Sequence, residues 1–211
     1  MEGNDLMSSA LAHDILDLTL EHLVLVSLSL AIAAAIAIPA GILLTRRAFL
    51  QRWVLGFANI MQTVPSLALF GFLIPLPLLG GIGKHTAIVA LVLYALLPIL
   101  RNTLTGIMNV DPAVRESAVA MGMTGRQLLW EVELPLAART ILAGLRIATV
   151  TTIGTATIAA AIGGGGLGVL IFRGLASVDA TLLLAGAVPA ALIALAADRG
   201  LEWVEHKLSP V

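Results

Sequence analysis

The chain contains no cysteine, which excludes a disulfide framework and any thiolate metal site. Charge is scarce: Asp, Glu, Lys and Arg make up 12% of the 211 residues, against roughly 25% in ordinary soluble domains. Aromatic residues amount to 4%, and the four histidines are scattered without ligand spacing. The formal net charge of −1 offers no basic surface of the kind nucleic acid requires. The first 22 residues carry Glu2, Asp5, Asp14, Asp17 and Glu21 but neither Lys nor Arg. A cleavable secretory leader begins with a basic region, so this stretch does not fit one.

What the chain does have is apolar length. Hydrophobic residues reach 59% and mean hydropathy is +1.01, the composition of a polytopic membrane protein. A spanning helix needs about 20 mainly apolar residues. Such runs lie near Leu23–Leu44, Trp53–Ile74, Thr86–Ile107, Ile141–Ile162 and Ala180–Ala197. The expected fold is therefore all-α with about five transmembrane helices: an acidic segment at 1–22, a membrane domain at 23–200 and a short tail at 201–211.

Basic residues set the orientation. Arg46, Arg47, Arg52, Arg101, Arg115, Arg126, Arg139, Arg146, Arg199 and Lys207 fall on one side of the alternating spans, and only Lys84 and Arg173 fall on the other. The rich side is expected to be cytoplasmic. That places the N-terminal segment outside, solvated or lying on the surface as an amphipathic helix, and the C-terminus inside. Pro39, Pro65, Pro98 and Pro189 interrupt the first, second, third and fifth spans, while Gly144 and Gly154 lie in the fourth. Proline removes a backbone donor and kinks a helix. These positions read either as hinges of a moving gate or as ordinary membrane-helix composition.

The stretch between the third and fourth spans is too polar to cross a bilayer and too patterned to be a linker. Asp111 can cap a helix whose first turn holds Pro112. Gly122 can take the positive φ that ends it, and Thr124 can cap a second helix bounded by Pro135. Glu116-Ser117-Ala118, then Gly122 after three residues, then Val132-Glu133-Leu134-Pro135 after nine more, resemble the EAA loop of ATP-binding-cassette importer permeases of type I. The one departure is Ser117 for the first Ala, small for small.

That resemblance implies a coupling helix seated in a groove of a cytoplasmic ATPase subunit. Glu116, Ser117, Ala118, Gly122, Leu134 and Pro135 would be its coupling residues. It also implies two copies of the ATPase, which bind ATP and Mg on their own chains, a substrate-binding protein and a second permease copy across a shared path. Cargo crosses unchanged, so no catalytic residue is expected. About 22 residues before the first span and about 14 after the last make the binding protein a separate subunit by expectation. Asn59–Pro75, Leu97-Pro98-Ile99-Leu100-Arg101-Asn102-Thr103, Asn109–Ala113 and Ile153-Gly154-Thr155-Ala156-Thr157 further resemble the glycine betaine, choline and carnitine permeases. They imply a quaternary-ammonium osmoprotectant as cargo; methionine or another amino acid is the rival cargo, and a passive channel or scaffold the rival class.

Asn59, Gln62, Thr63 and Ser66 recur at helical spacing and form one polar stripe. Lipid exposure of such a stripe is costly, so it lines a path or bonds to other helices. Thr149 and Thr152 in the fourth span pose the same choice. Tyr94, the only tyrosine, could present its ring to a quaternary ammonium or pack with its hydroxyl on a neighbour. Arg101 and Arg146 lie where snorkelling suffices, with an ion pair possible but unforced. Gly163, Gly164, Gly165, Gly166 and Gly168 formally contain a dinucleotide fingerprint, but they follow a span rather than a strand. They read as a tight turn or a re-entrant break near an outer gate, buried in protein. Gly80-Gly81-Ile82-Gly83-Lys84-His85 lacks the first Gly and the Ser/Thr of a phosphate loop.

Overall fold

The structure is a computed structural model and describes residues 2–77 and 80–207. The described residues are nearly all helical, with no strand among them. Four helices are long and apolar enough to cross a bilayer, or five if one bent pair counts as a span. These are α1 (Glu2–Leu44), the bent pair α2 (Ala48–Thr63) and α3 (Ser66–Leu73), α4 (Lys84–Met108), a fourth helix Gly125–Ala156, and α9 (Ala180–Lys207). Between them lie α5 (Pro112–Ala120) and the short α8 (Gly168–Ser177). The fourth helix starts as α6 (Gly125–Gln127), widens into a π turn over Leu128–Glu133, and continues as α7 (Leu134–Ala156).

Helix α4 is the centre, with α1 and α7 packed against it, α9 against α7 and α8 against α9. Apolar residues occur all round α4, the pattern of a helix enclosed by others. Leu91, Ala95, Ile99 and Leu104 of α4 are buried against Leu25, Ala33 and Ala37 of α1 and Ala148 and Ile153 of α7. Small residues allow this closeness, as usual between membrane helices. A Cβ on Gly144 of α7 would fall 2.8 Å from the Pro98 carbonyl and would collide with Asn102.

Three expectations need correcting. First, α1 does not begin at Leu23. The helix already runs from Leu11 to Leu44, which at 1.5 Å per residue is about 51 Å, well beyond a hydrocarbon core of about 30 Å. Residues 11–22 thus continue the first span as helix; residue 1, and the 208–211 part of the tail, lie outside the described residues.

Second, the expected span Trp53–Ile74 is two helices bent by 103°. Pro65 cannot donate to the helix, and it pushes the preceding residue out of the helical region. Val64 accordingly sits at φ −67°, ψ 128°. Pro39, Pro98 and Pro189, by contrast, lie inside continuous helices.

Third, Pro135 bounds no helix, because the fourth helix runs through it. Its ring crowds the carbonyl four residues back. Widening to π geometry, with the Leu134 N–H donating to Leu129 C=O, relieves that crowding.

Candidate functional site

The loop between α4 and α7 is built as two capped turns. The Asp111 carboxylate accepts from the Ala113 N–H at 2.8 Å, and Pro112 occupies the first turn of α5. At the other end Gly122 has φ +85°. Its N–H donates to Val119 C=O at 2.9 Å, and the Met123 N–H reaches Ala118 C=O at 3.2 Å. This is the double closure that a left-handed residue allows at a helix end. Thr124 and Gln127 then form a reciprocal capping box. Glu116 and Ser117 are exposed and Ala118 is buried. Leu134 is half-buried and Pro135 exposed. A Cβ at Gly122 would meet nothing of this chain within 4 Å. Val114, Val119, Met121 and Trp130 on the same loop expose large apolar side chains.

Beneath this surface the loop is held by charge. Arg115 of α5 pairs its Nε with Glu133 Oε1 at 3.0 Å, and its Nη2 donates to the Ile107 carbonyl at the end of α4. Arg46, in the turn after α1, approaches the other Glu133 oxygen at 3.9 Å. Glu133 is only 7% exposed, and a carboxylate so placed needs its partners.

The polar residues of the middle membrane are brought together only in part. Asn59 accepts from Arg101 Nη2 at 3.0 Å, a bond between helices. Gln62 and Thr63 are exposed on α2, whereas Ser66 lies beyond the Pro65 break at the start of α3. The stripe therefore does not continue on one helix face. The Tyr94 hydroxyl donates to the Val64 carbonyl, the group set free by the break. Thr149 returns its hydroxyl to Leu145 C=O at 2.8 Å. Thr152 is 1% exposed, so its hydroxyl faces no opening of this chain.

At the far end, Gly163, Gly165 and Gly166 all take positive φ, forming a tight turn between a 3₁₀ turn (Ile158–Ile162) and α8. Gly164 packs on Ala159 and Ala87, and a Cβ on Gly168 would overlap the Thr157 carbonyl. Glu21 of α1 accepts the Gly166 N–H at 2.9 Å and pairs with Lys84. No group of His, Cys, Asp or Glu suited to a metal ion occurs among the described residues.

Residues 37–210 match the family described as the inner membrane component of binding-protein-dependent transport systems. The chain belongs to this family. Among its relatives, the carnitine transport permease protein OpuCD of Listeria monocytogenes is 47% identical over 191 residues, 90% of this chain and 84% of the relative. The choline transport system permease protein OpuBD of Bacillus subtilis is 45% identical over 191 residues, 90% of this chain and 83% of the relative. The osmoprotectant import permease protein OsmW of Salmonella typhimurium is 44% identical over 196 residues, 92% and 89%. Among solved structures, an inward-facing form of the methionine ABC transporter MetNI superposes with a TM-score of 0.83 over 97% of this chain and 98% of that one. At 24% identity that likeness shows the fold: this permease has the transmembrane architecture of type I ABC importers.

Several contacts of the permease escape a reading by sequence. Arg115 and Glu133 meet across 18 positions, and the only signal was an acidic residue just before a span. Arg146 pairs with Asp198 at 2.5 Å and approaches Glu202 and Glu205 at 3.7 and 3.6 Å, which snorkelling alone does not describe. Asp198 lies in the extension of α9 beyond Ala197, where the apolar run stops but the helix does not.

Proposed function

We propose that this permease moves quaternary-ammonium osmoprotectants such as glycine betaine, choline or carnitine across the plasma membrane by alternating access. Its similarity to carnitine and choline permeases over nine-tenths of the chain supports that cargo. ATP and Mg would be bound by two copies of a separate ATPase, so this chain performs transport without catalysis. Glu116, Ser117 and Gly122 would face the groove of that ATPase, with Ala118 packed beneath them and Leu134 and Pro135 fixing the exit of the loop. The exposed Val119, Met121 and Trp130 are suited to such an interface, where apolar and aromatic side chains concentrate.

A substrate-binding protein would deliver cargo on the outer side, near the Gly163–Gly168 turn, with the N-terminus outside and the C-terminus in the cytoplasm. A second copy, identical or paralogous, would complete the path. Exposed Gln62 and Thr63 are the lining candidates best placed for it. Asn59, Tyr94 and Thr149 would instead shape its walls through bonds inside the chain, and half-buried Ser66 and buried Thr152 would do so through packing.

The test is uptake of labelled glycine betaine, choline and methionine by cells stripped of their own systems. These cells would express the chain with its genomic ATPase and binding protein. Betaine or choline uptake is expected, and it should vanish with Gly122→Asp, together with co-purification of the ATPase. The side chain would face the left-handed penalty of about 1–2 kcal/mol and stand in the docking surface. Uptake of methionine alone would overturn the cargo, and uptake without any ATPase would overturn the class.

A further inference from the structure

Two arginines and one carboxylate hold four elements together beneath the coupling loop. Arg115 projects from α5, and its guanidinium reaches two targets at once: the Ile107 carbonyl ending α4, and Glu133 in the π turn that opens into α7. Glu133 turns its second oxygen toward Arg46, in the turn between α1 and α2. The planar guanidinium holds its donors in a fixed fork, so a carbonyl and a carboxylate can be served together with little loss of side-chain freedom. Glu133 is nearly buried, so the contact is little screened by water or salt. The residue stands where the helix is π-wound, a local register defect often found at functional sites. The helices that meet here, α1, α4 and α7, all contribute to both buried clusters.

We infer that the Arg115–Glu133 pair is the joint that carries displacement of the coupling helix into the transmembrane core; this rests on the reading of α5 as the ATPase-coupling element. Both residues are positioning residues, and neither need touch ATPase or cargo. Pulling on α5 pulls the ends of α4 and α7 through one guanidinium. Without the pair, α5 can still seat in its groove yet move independently of the helices. Loss of the joint therefore separates ATP hydrolysis from transport, whereas loss of the docking surface removes both together.

The experiment uses the complete complex in vesicles, measuring ATP hydrolysed per substrate imported and stimulation of hydrolysis by the loaded binding protein. Glu133→Gln keeps shape and removes charge. It should assemble with the ATPase and retain basal hydrolysis, while ATP consumed per substrate rises at least about fivefold, the lower end of ordinary coupling between sites. Arg115→Lys, which keeps a charge but cannot reach both targets, should raise the ratio less. The double variant Arg115→Gln/Glu133→Gln should be no worse than Arg115→Gln alone, because that change already removes the contact with Glu133. An unchanged ratio in Glu133→Gln would overturn the proposal, as would multiplying effects in the double variant. Failure of both single variants to assemble would equally overturn it, in favour of a purely structural role. Ratios are taken against the wild-type complex on whichever cargo it imports, so a wrong cargo and a wrong joint fail separately.

Discussion

Single side chains in this permease answer problems set by the backbone in a medium without water. The break at Pro65 leaves the Val64 carbonyl without a helical donor, and Tyr94, thirty residues on, supplies one from its hydroxyl. An unpaired carbonyl in such surroundings costs about 1–3 kcal/mol. Tyr94→Phe is therefore expected to lower Tm by about 2–4 °C for each kcal/mol lost, the scaling for chains of 150–250 residues. The phenyl ring remains, so uptake of a quaternary ammonium should persist. A drop in uptake with no change in Tm would instead assign the hydroxyl to the cargo. At Gly122 the demand is conformational: φ of +85° is open to glycine at little cost, and open space around it leaves room for another subunit. Both residues stand out in the sequence, one as the lone tyrosine and the other as a motif glycine. Only the coordinates connect Tyr94 to Val64.

At the scale of elements, two prolines decide local geometry differently. Pro65 ends α2 outright because the chain turns by 103° there and α3 buries Leu69, Phe70 and Leu73 on the core formed with α1 and α4. Pro135 is absorbed by a π turn because α7 must continue straight on into its packing against α4. That turn fixes the rotation of Leu128–Glu133 relative to α7. Replacing Pro135 by Ala removes the crowding and allows ordinary α winding. Relaxation by one residue rotates the preceding segment by about 100° and swings Glu133 away from Arg115. Pro135→Ala should accordingly lower uptake at least about fivefold, as for a broken coupling contact, with a Tm at or below that of the wild type because Glu133 loses a partner. Wild-type uptake together with wild-type stability would show that the π turn has no part in coupling. Spans were legible from apolar length alone; whether a proline bends, breaks or merely sits inside one was not, because that depends on what the next residues can bury.

The whole molecule has a polarity that can be measured directly. The chain has no cysteine, so single cysteines can be introduced without a background. Ile82 and Met121, 82% and 73% exposed, lie in the turn before α4 and at the end of α5, the helix that follows α4. Ile82→Cys should react with a membrane-impermeant maleimide on intact cells, and Met121→Cys only after permeabilisation. The reverse pattern would invert the orientation inferred from ten basic residues against two. The candidate site was legible unequally at this scale: the coupling loop is contiguous, so its caps and glycine are written in order. The polar residues of the path are scattered over α2, α3, α4 and α7, and their neighbours follow only from packing.

By itself the sequence determined the medium, the approximate spans, the caps of α5 and the family, because apolar length, turn chemistry and motif spacing are local properties. Tertiary structure alone decided that the acidic N-terminal stretch continues a helix and places Glu21 on the glycine turn. It also decided that Arg146 meets Asp198 and that Arg115 meets Glu133. Each of these is a meeting of a charged group with a partner distant in sequence, and the packing of helices determines which partner is within reach.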